Sequence, residues 1–112
     1  ILTDVPYGMP RAFVRRDLER PGISGLFDTL LTSVEVAVRK PETAGFLALA
    51  SRLGIAPHEM LYVGNEPKDV IGANRAGVIA AFLDRASSGS SHGQAFTIPT
   101  LSSIHDIVWQ LQ

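Results

Sequence analysis

The run Leu61-Tyr62-Val63-Gly64-Asn65-Glu66-Pro67-Lys68-Asp69 and its continuation to Gly77 constrain this chain more than any other stretch. A short apolar run ends at Gly64, an acidic turn follows, and a helical segment begins at Pro67. Proline suits a first helical turn and glycine a left-handed C-terminal cap, so the pattern predicts a strand over 60–64 and a helix over 67–76. Asn65, Glu66 and Asp69 then sit at the carboxyl end of a strand, where α/β sheets bind ligands. Their oxygens suit Mg²⁺. An ordinary polar strand–helix turn facing water is the competing reading, and the rest of the chain decides between them.

The apolar run Val78-Ile79-Ala80-Ala81-Phe82-Leu83 directly after Gly77 reads as a buried parallel strand. Upstream, Leu2 and Thr3 read as a strand end, 4–10 as a loop punctuated by Pro6, Gly8 and Pro10, and 10–20 as a helix. Ala12, Phe13, Val14 and Leu18 would form its apolar face, with Arg11, Arg15, Arg16 and Arg20 outward; interleaved Asp17 and Glu19 make this a solvated face. Residues 26–33 read as a second strand and 34–39 as a connection. Phe46, Leu49, Ala50 and Leu53 mark a helix over 41–53, closed at Gly54 with Ile55 as the apolar contact of its cap. The Ser- and Gly-rich segment 84–94 reads as a flexible loop, 95–98 as a short edge strand, and Ser102 or Ser103 as the cap of a last helix with Ile104, Ile107, Val108 and Leu111 on one face and Trp109 off it. Strands alternating with helices make the class α/β, a Rossmann-like doubly wound and mainly parallel sheet.

A chain of 112 residues is one domain at most, and 46% hydrophobic with 19% charged residues is a globular composition. A net charge of −1 gives no electrostatic footprint for nucleic acid or an anionic membrane, and no apolar run reaches the length of a membrane span. Absence of cysteine excludes disulfides and thiolate metal sites, which fits a cytoplasmic location. The dinucleotide, P-loop and nucleophile-elbow motifs are absent, and His58, His92 and His105 are scattered without metal-site spacing. What remains is one polar feature near the carboxyl end of each of three strands: Thr3, then Lys40, then the Asn65–Glu66–Asp69 turn. Parallel strands bring these ends to one rim. A hydroxyl, an ammonium and an acidic turn there make a kit for a phosphoryl group, with Mg²⁺ neutralising charge.

At these residues the chain resembles the haloacid dehalogenase-like (HAD) hydrolase superfamily. Leu2-Thr3-Asp4 looks like its second motif, Val38-Arg39-Lys40-Pro41 its third, and Tyr62 to Asp69 with Ile71 to Gly77 its fourth, the metal-binding acidic motif; Thr32-Ser33-Val34-Glu35 before the Lys motif is also typical. The resemblance implies a HAD-like core and Mg²⁺-dependent hydrolysis of a small phosphorylated metabolite. Thr3, Asp4 and Lys40 would take the phosphate, Lys40 would be the catalytic cation, and Asp69 with Asn65 or Glu66 would hold the metal. Two departures stand out. Asn65 occupies the position after Gly64 where the family commonly has a metal-binding Asp, and an amide oxygen brings no charge. The family's first motif, Asp-x-Asp, occurs nowhere in the chain, so the nucleophile is missing. In the family that motif ends a central strand between the strands ending at Thr3 and Gly64. The expectation is therefore a single core domain over 1–112 that lacks its first strand, completed by a separate N-terminal segment or another chain. The alternative is a non-catalytic interaction or regulatory domain of the same fold. A phospho-accepting receiver-like domain uses similar residues in a different order and has no candidate acceptor here.

Overall fold

The computed structural model describes residues 1–111. Around the acidic turn the fold follows the sequence closely. Strand β3 (Leu61–Gly64) leads into helix α4 (Pro67–Arg75), and strand β4 (Ile79–Leu83) returns parallel to β3, with Leu61 opposite Ile79 and Gly64 opposite Phe82. Gly77 adopts φ +77°, and the Val78 N–H reaches back to the Ala73 carbonyl at 2.8 Å, the wrap of a Schellman cap. Strand β5 (Phe96–Ile98) joins the far side of β4, also parallel.

The β4 run is buried on both faces because its side chains alternate between two cores. Ala80 and Phe82 join Phe46, Leu49, Met60, Val70, Ala73 and Val78 under α4 and helix α3 (Ala44–Leu53). Ala81 and Leu83 join Ile98 and Ile107, the latter from helix α5 (Ile104–Gln110). The result is a helix–sheet–helix sandwich. Helix α3 ends at Gly54 (φ +69°), and the Ile55 N–H bonds the Ala50 carbonyl at 3.1 Å, as its cap signal predicts. The loop after β4 is tied at its base: the Asp84 carboxylate accepts from the Ser88 N–H and hydroxyl, both at 3.0 Å, and from the Gly89 N–H at 3.1 Å. No helix among the described residues is long and apolar enough to cross a membrane.

Four expectations need correction. The strand expected over 26–33 shrinks to β2 (Leu31–Thr32), because a 3₁₀ turn occupies Ser24–Leu26 and Thr32 caps a short helix, α2 (Ser33–Val36). The Thr32 hydroxyl accepts from the Glu35 N–H at 3.4 Å and the Glu35 carboxylate from the Thr32 N–H at 2.8 Å, a capping box that converts the expected connection into helix. Helix α3 begins at Ala44 rather than 41, since a turn closed by the Glu42 N–H on the Arg39 carbonyl fills the intervening residues. Helix α1 (Arg11–Glu19) buries none of its residues: it lies beside the 3₁₀ turn rather than on a sheet, leaving Ala12 and Phe13 exposed. In α5 only Ile104 and Ile107 reach the core; Val108 and Leu111 are exposed, and so is Trp109, as expected.

The sheet itself is divided. β1 (Leu2–Thr3) pairs parallel with β2, and β3, β4 and β5 form a second parallel sheet. β1 and β3 stand on either side of a cleft of about 420 Å³ lined by Ile1, Leu2, Leu49, Met60, Leu61 and Tyr62 among others.

Candidate active site

The carboxyl ends of β1 and β3 lie on one rim, and Lys40 arrives there from the link ahead of α3. Its ammonium donates to Asp69 Oδ1 at 2.6 Å and to the Tyr62 hydroxyl at 3.3 Å. The other Asp69 oxygen accepts from the Glu66 N–H at 3.0 Å, which ties the carboxylate to the first turn of α4. Asp69 is 3% exposed, and it fits there because residue 64 is glycine: a Cβ on Gly64 would stand 2.3 Å from Asp69 Cβ. Tyr62 is fixed by an edge-on contact with Phe46, ring centroids 4.8 Å apart, and donates its hydroxyl proton to the Leu2 carbonyl at 2.9 Å. Asp4 makes the second ion pair of the rim. Its Oδ2 accepts from Lys68 Nζ at 2.8 Å, and its Oδ1 from the Lys40 N–H at 3.3 Å.

The electrostatics follow from these partners. Burial pushes the Lys40 ammonium down, but the Asp69 hydrogen bond and the Tyr62 and Asp69 charges outweigh it, so its pKa is raised from 10.5. Burial would raise the Asp4 carboxyl; Lys68 and the Lys40 N–H outweigh burial and hold it below 3.8. Burial pushes the Tyr62 phenol above 10.0, against the pull of Lys40. At neutral pH Lys40 is therefore charged, Asp4 ionised and Tyr62 neutral.

The structure thus brings Lys40, Asp69 and Asp4 together. Thr3 ends β1 on the same rim, but its hydroxyl has only a 3.5 Å contact with the Asp4 carbonyl, at the limit of a hydrogen bond. Asn65 and Glu66 are exposed at the turn, and the Glu66 carboxylate lies 3.7 Å from Lys68 Nζ. Two residues of the site were not singled out from sequence. Tyr62 could have been found from the alternation of β3, which sends it and Gly64 to the same side. Lys68 could have been found from its place one residue before Asp69 in the acidic turn.

The described donors on the rim do not gather around a point where Mg²⁺ could sit. Both Asp69 oxygens are already engaged, and among the described residues no group of three His, Cys, Asp or Glu side chains gathers to hold a metal. Asn65 and Glu66, the latter 3.7 Å from Lys68 Nζ, remain as exposed oxygen donors. The chain's own residues do not complete a magnesium site in this arrangement.

Residues 9–83, two thirds of the chain, match the haloacid dehalogenase-like hydrolase family model. The chain belongs to that family. Among curated proteins it is similar to the glyceraldehyde 3-phosphate phosphatase of Methanopyrus kandleri, 42% identical over 69 residues that are 61% of this chain and 30% of that protein. It is also similar to the phosphoglycolate phosphatase of Escherichia coli K12, 32% identical over 101 residues covering 90% of this chain and 37% of that one. Among solved structures, the HAD phosphatase of Thermococcus onnurineus superposes with a TM-score of 0.82 and 29% identity over 94% of this chain and 49% of that one. The chain spans about a third of the length of the curated relatives. The α/β fold with parallel sheets is thus the HAD-like fold that the motifs anticipated.

Proposed function

We propose that this chain forms the phosphate-facing part of a HAD-type phosphatase acting on a small phosphorylated metabolite. The observation that carries this reading is the buried Lys40–Asp69 pair on a rim shared with Asp4, in a chain of this family. Asp69 fixes the Lys40 ammonium, which stays charged and faces the rim. There it would offset the negative charge that builds on phosphoryl oxygens during transfer. Thr3, with the backbone N–H groups near it, would orient those oxygens, and Asp4 would hold Lys68 nearby as a second cation. Magnesium, which the family resemblance implies, would need ligands beyond those this chain gathers; Asn65 and Glu66 are its contribution. The nucleophilic carboxylate would come with an added strand, from a separate N-terminal segment or another chain, since no Asp-x-Asp occurs here.

A second reading rests on a specific feature: every charge buried at the rim already has a partner of opposite sign, as in a binding module that no longer turns over phosphate. The two are separated by release of phosphate from p-nitrophenyl phosphate with MgCl₂, comparing this chain alone with the chain embedded in a full-length protein. The proposal expects no turnover from the chain alone. It expects turnover from the full-length protein, and a fall of about 10²–10³-fold in kcat on Lys40→Ala. A full-length protein that binds phosphate but does not hydrolyse the ester would favour the binding module.

A further inference from the structure

A cavity of about 290 Å³ lies beyond the carboxyl ends of β1 and β2, on residues that belong neither to the cleft nor to the rim. It is lined by Val5 and Tyr7 of the loop after β1, Ser33 and Val34 of α2, and Ala37 and Arg39 of the link that leads to Lys40. Val38 adds a further apolar side chain. The Val5 backbone is held firmly. Ser33 Oγ accepts from its N–H at 2.9 Å and donates to its carbonyl at 3.3 Å, and both residues are buried. Arg39 Nη2 donates to the same carbonyl at 2.7 Å, which fixes one arm of the guanidinium. An arginine fork carries five N–H donors. Among the described residues no carboxylate forms an ion pair with Arg39, so most of its capacity is unused beside an apolar wall. Tyr7 is wholly exposed and Val34 is 41% exposed, so two large side chains of the lining have nothing over them. Ala37 holds a left-handed backbone (φ +62°) that disfavours any side chain, yet a methyl stands in the wall where glycine would be relaxed. Strain of this kind persists at ligand-holding segments.

We propose that this cavity binds a small organic carboxylate with a short apolar body. The anion is taken by the remaining donors of Arg39, and the body lies against Val34, Ala37, Val38 and Tyr7. Three features set this chemistry. The size is at the low end for ligand pockets, which fits a molecule of a few carbons. The apolar lining rejects a bare inorganic anion, because such an ion would lose its water there to a single cation. The planar fork of an arginine matches the two oxygens of a carboxylate, and the Val5 bond holds that fork in place before the ligand arrives. The site goes beyond the phosphatase reading and uses none of its side chains. Val5 follows Asp4 and Arg39 precedes Lys40, so a bound acid lies beside the rim without occupying it.

The test titrates this chain with 4-methylpentanoate at pH 7, where the acid is ionised, and follows backbone amide shifts by NMR. We expect saturable shifts at Val5, Val34, Ala37 and Arg39. The neutral 4-methylpentanamide should bind about tenfold more weakly, because the charge-assisted fork is lost. Acetate, which has no body, should bind at least about tenfold more weakly. Arg39→Gln should weaken the acid about tenfold and leave the amide within about twofold. That variant also removes the bond to Val5, so Ala37→Gly is tested beside it. It relaxes the backbone, should keep or raise Tm, and should weaken the acid about threefold by taking one methyl from the wall. Equal binding of acid and amide by the wild type would overturn the role of Arg39. Shifts confined to Arg11 and Arg15 of the cavity along α1, or to Lys40 and Lys68, would put the anion elsewhere and overturn the site. Undiminished binding by a folded Ala37→Gly would overturn the wall, and an absence of shifts would overturn the whole inference. No phosphate and no turnover enter these readouts, so this inference and the proposed phosphatase function fail independently.

Discussion

Lys40 and Asp69, 29 residues apart in sequence, meet at 2.6 Å with side chains only 11% and 5% exposed. Such a pair gains little over a well-packed apolar pair, yet removing one partner strands a buried charge. Asp69→Ala is therefore expected to cost about 3–5 kcal/mol in urea unfolding, and Lys40→Ala a similar amount. The double variant should cost clearly less than the sum, with a coupling energy of at least ~1 kcal/mol. Additive costs would mean that the two groups stand in the site independently.

Two glycines make room for this pair and its support. A Cβ on Gly64 would fall 2.3 Å from Asp69 Cβ and 2.4 Å from its Oδ2, and Asp69 is held on both oxygens. A Cβ on Gly72 would fall 2.4 Å from Phe46 Cε2, and Phe46 is fully buried. Gly64→Ala and Gly72→Ala should each cost about 3 kcal/mol by thermal or urea unfolding, the upper end of the overpacking range. Gly25, with nothing within 4 Å, is the control: Gly25→Ala should stay within about 0.5 kcal/mol.

What the sequence made legible was local. The β3–α4–β4 unit could be read because its strand, cap and return strand are each signalled within a few residues, and Gly77 carries the backbone the cap needs. The convergence of Lys40 and Asp69 at the end of β1 could be anticipated from strand-end placement, whereas Asp4 came into view only with the family resemblance. Their pairing could not, because which ammonium meets which carboxylate depends on the turn of α4 and the link at Lys40. The stretch from 26 to 33 misled because its apolar residues resemble a strand, while Thr32 and Glu35 spell a capping box that wins locally. Phe13 misled in the opposite sense: its helix has the right period but no sheet beneath it.

The acid limb of stability should report Asp4. Its folded pKa is lowered, so its contribution is complete above the unfolded value near 3.8 and is lost as pH falls through the folded value. Lys40 and Tyr62 act at the other end. Both are raised, so their contributions are complete below unfolded values of 10.5 and 10.0 and are lost as pH climbs through the folded ones. Urea midpoints measured from pH 2 to 11 should therefore form a plateau with two shoulders. Asp4→Asn should flatten the acid shoulder and leave the alkaline one. A variant that keeps the full acid slope would show that carboxylates other than Asp4 set it.

Asn65 is the residue whose replacement says most about metal. It is exposed at the end of β3 beside Glu66, and an amide there offers an oxygen without charge, while Asp69 is committed to Lys40. Magnesium is reluctant to shed water and needs carboxylates to do so. Asn65→Asp would place two carboxylates side by side, partly offset by Lys68, whose Nζ lies 3.7 Å from Glu66. The wild-type chain should show no change in Tm between 0 and 10 mM MgCl₂. Asn65→Asp should gain a rise of several degrees, the size that follows if 10 mM is about ten times Kd and binding adds ~1.4 kcal/mol. Equal stabilisation of both proteins would mean that the missing charge is not what limits the site. No stabilisation of Asn65→Asp would mean that ligands from outside this chain are needed before any ion is held.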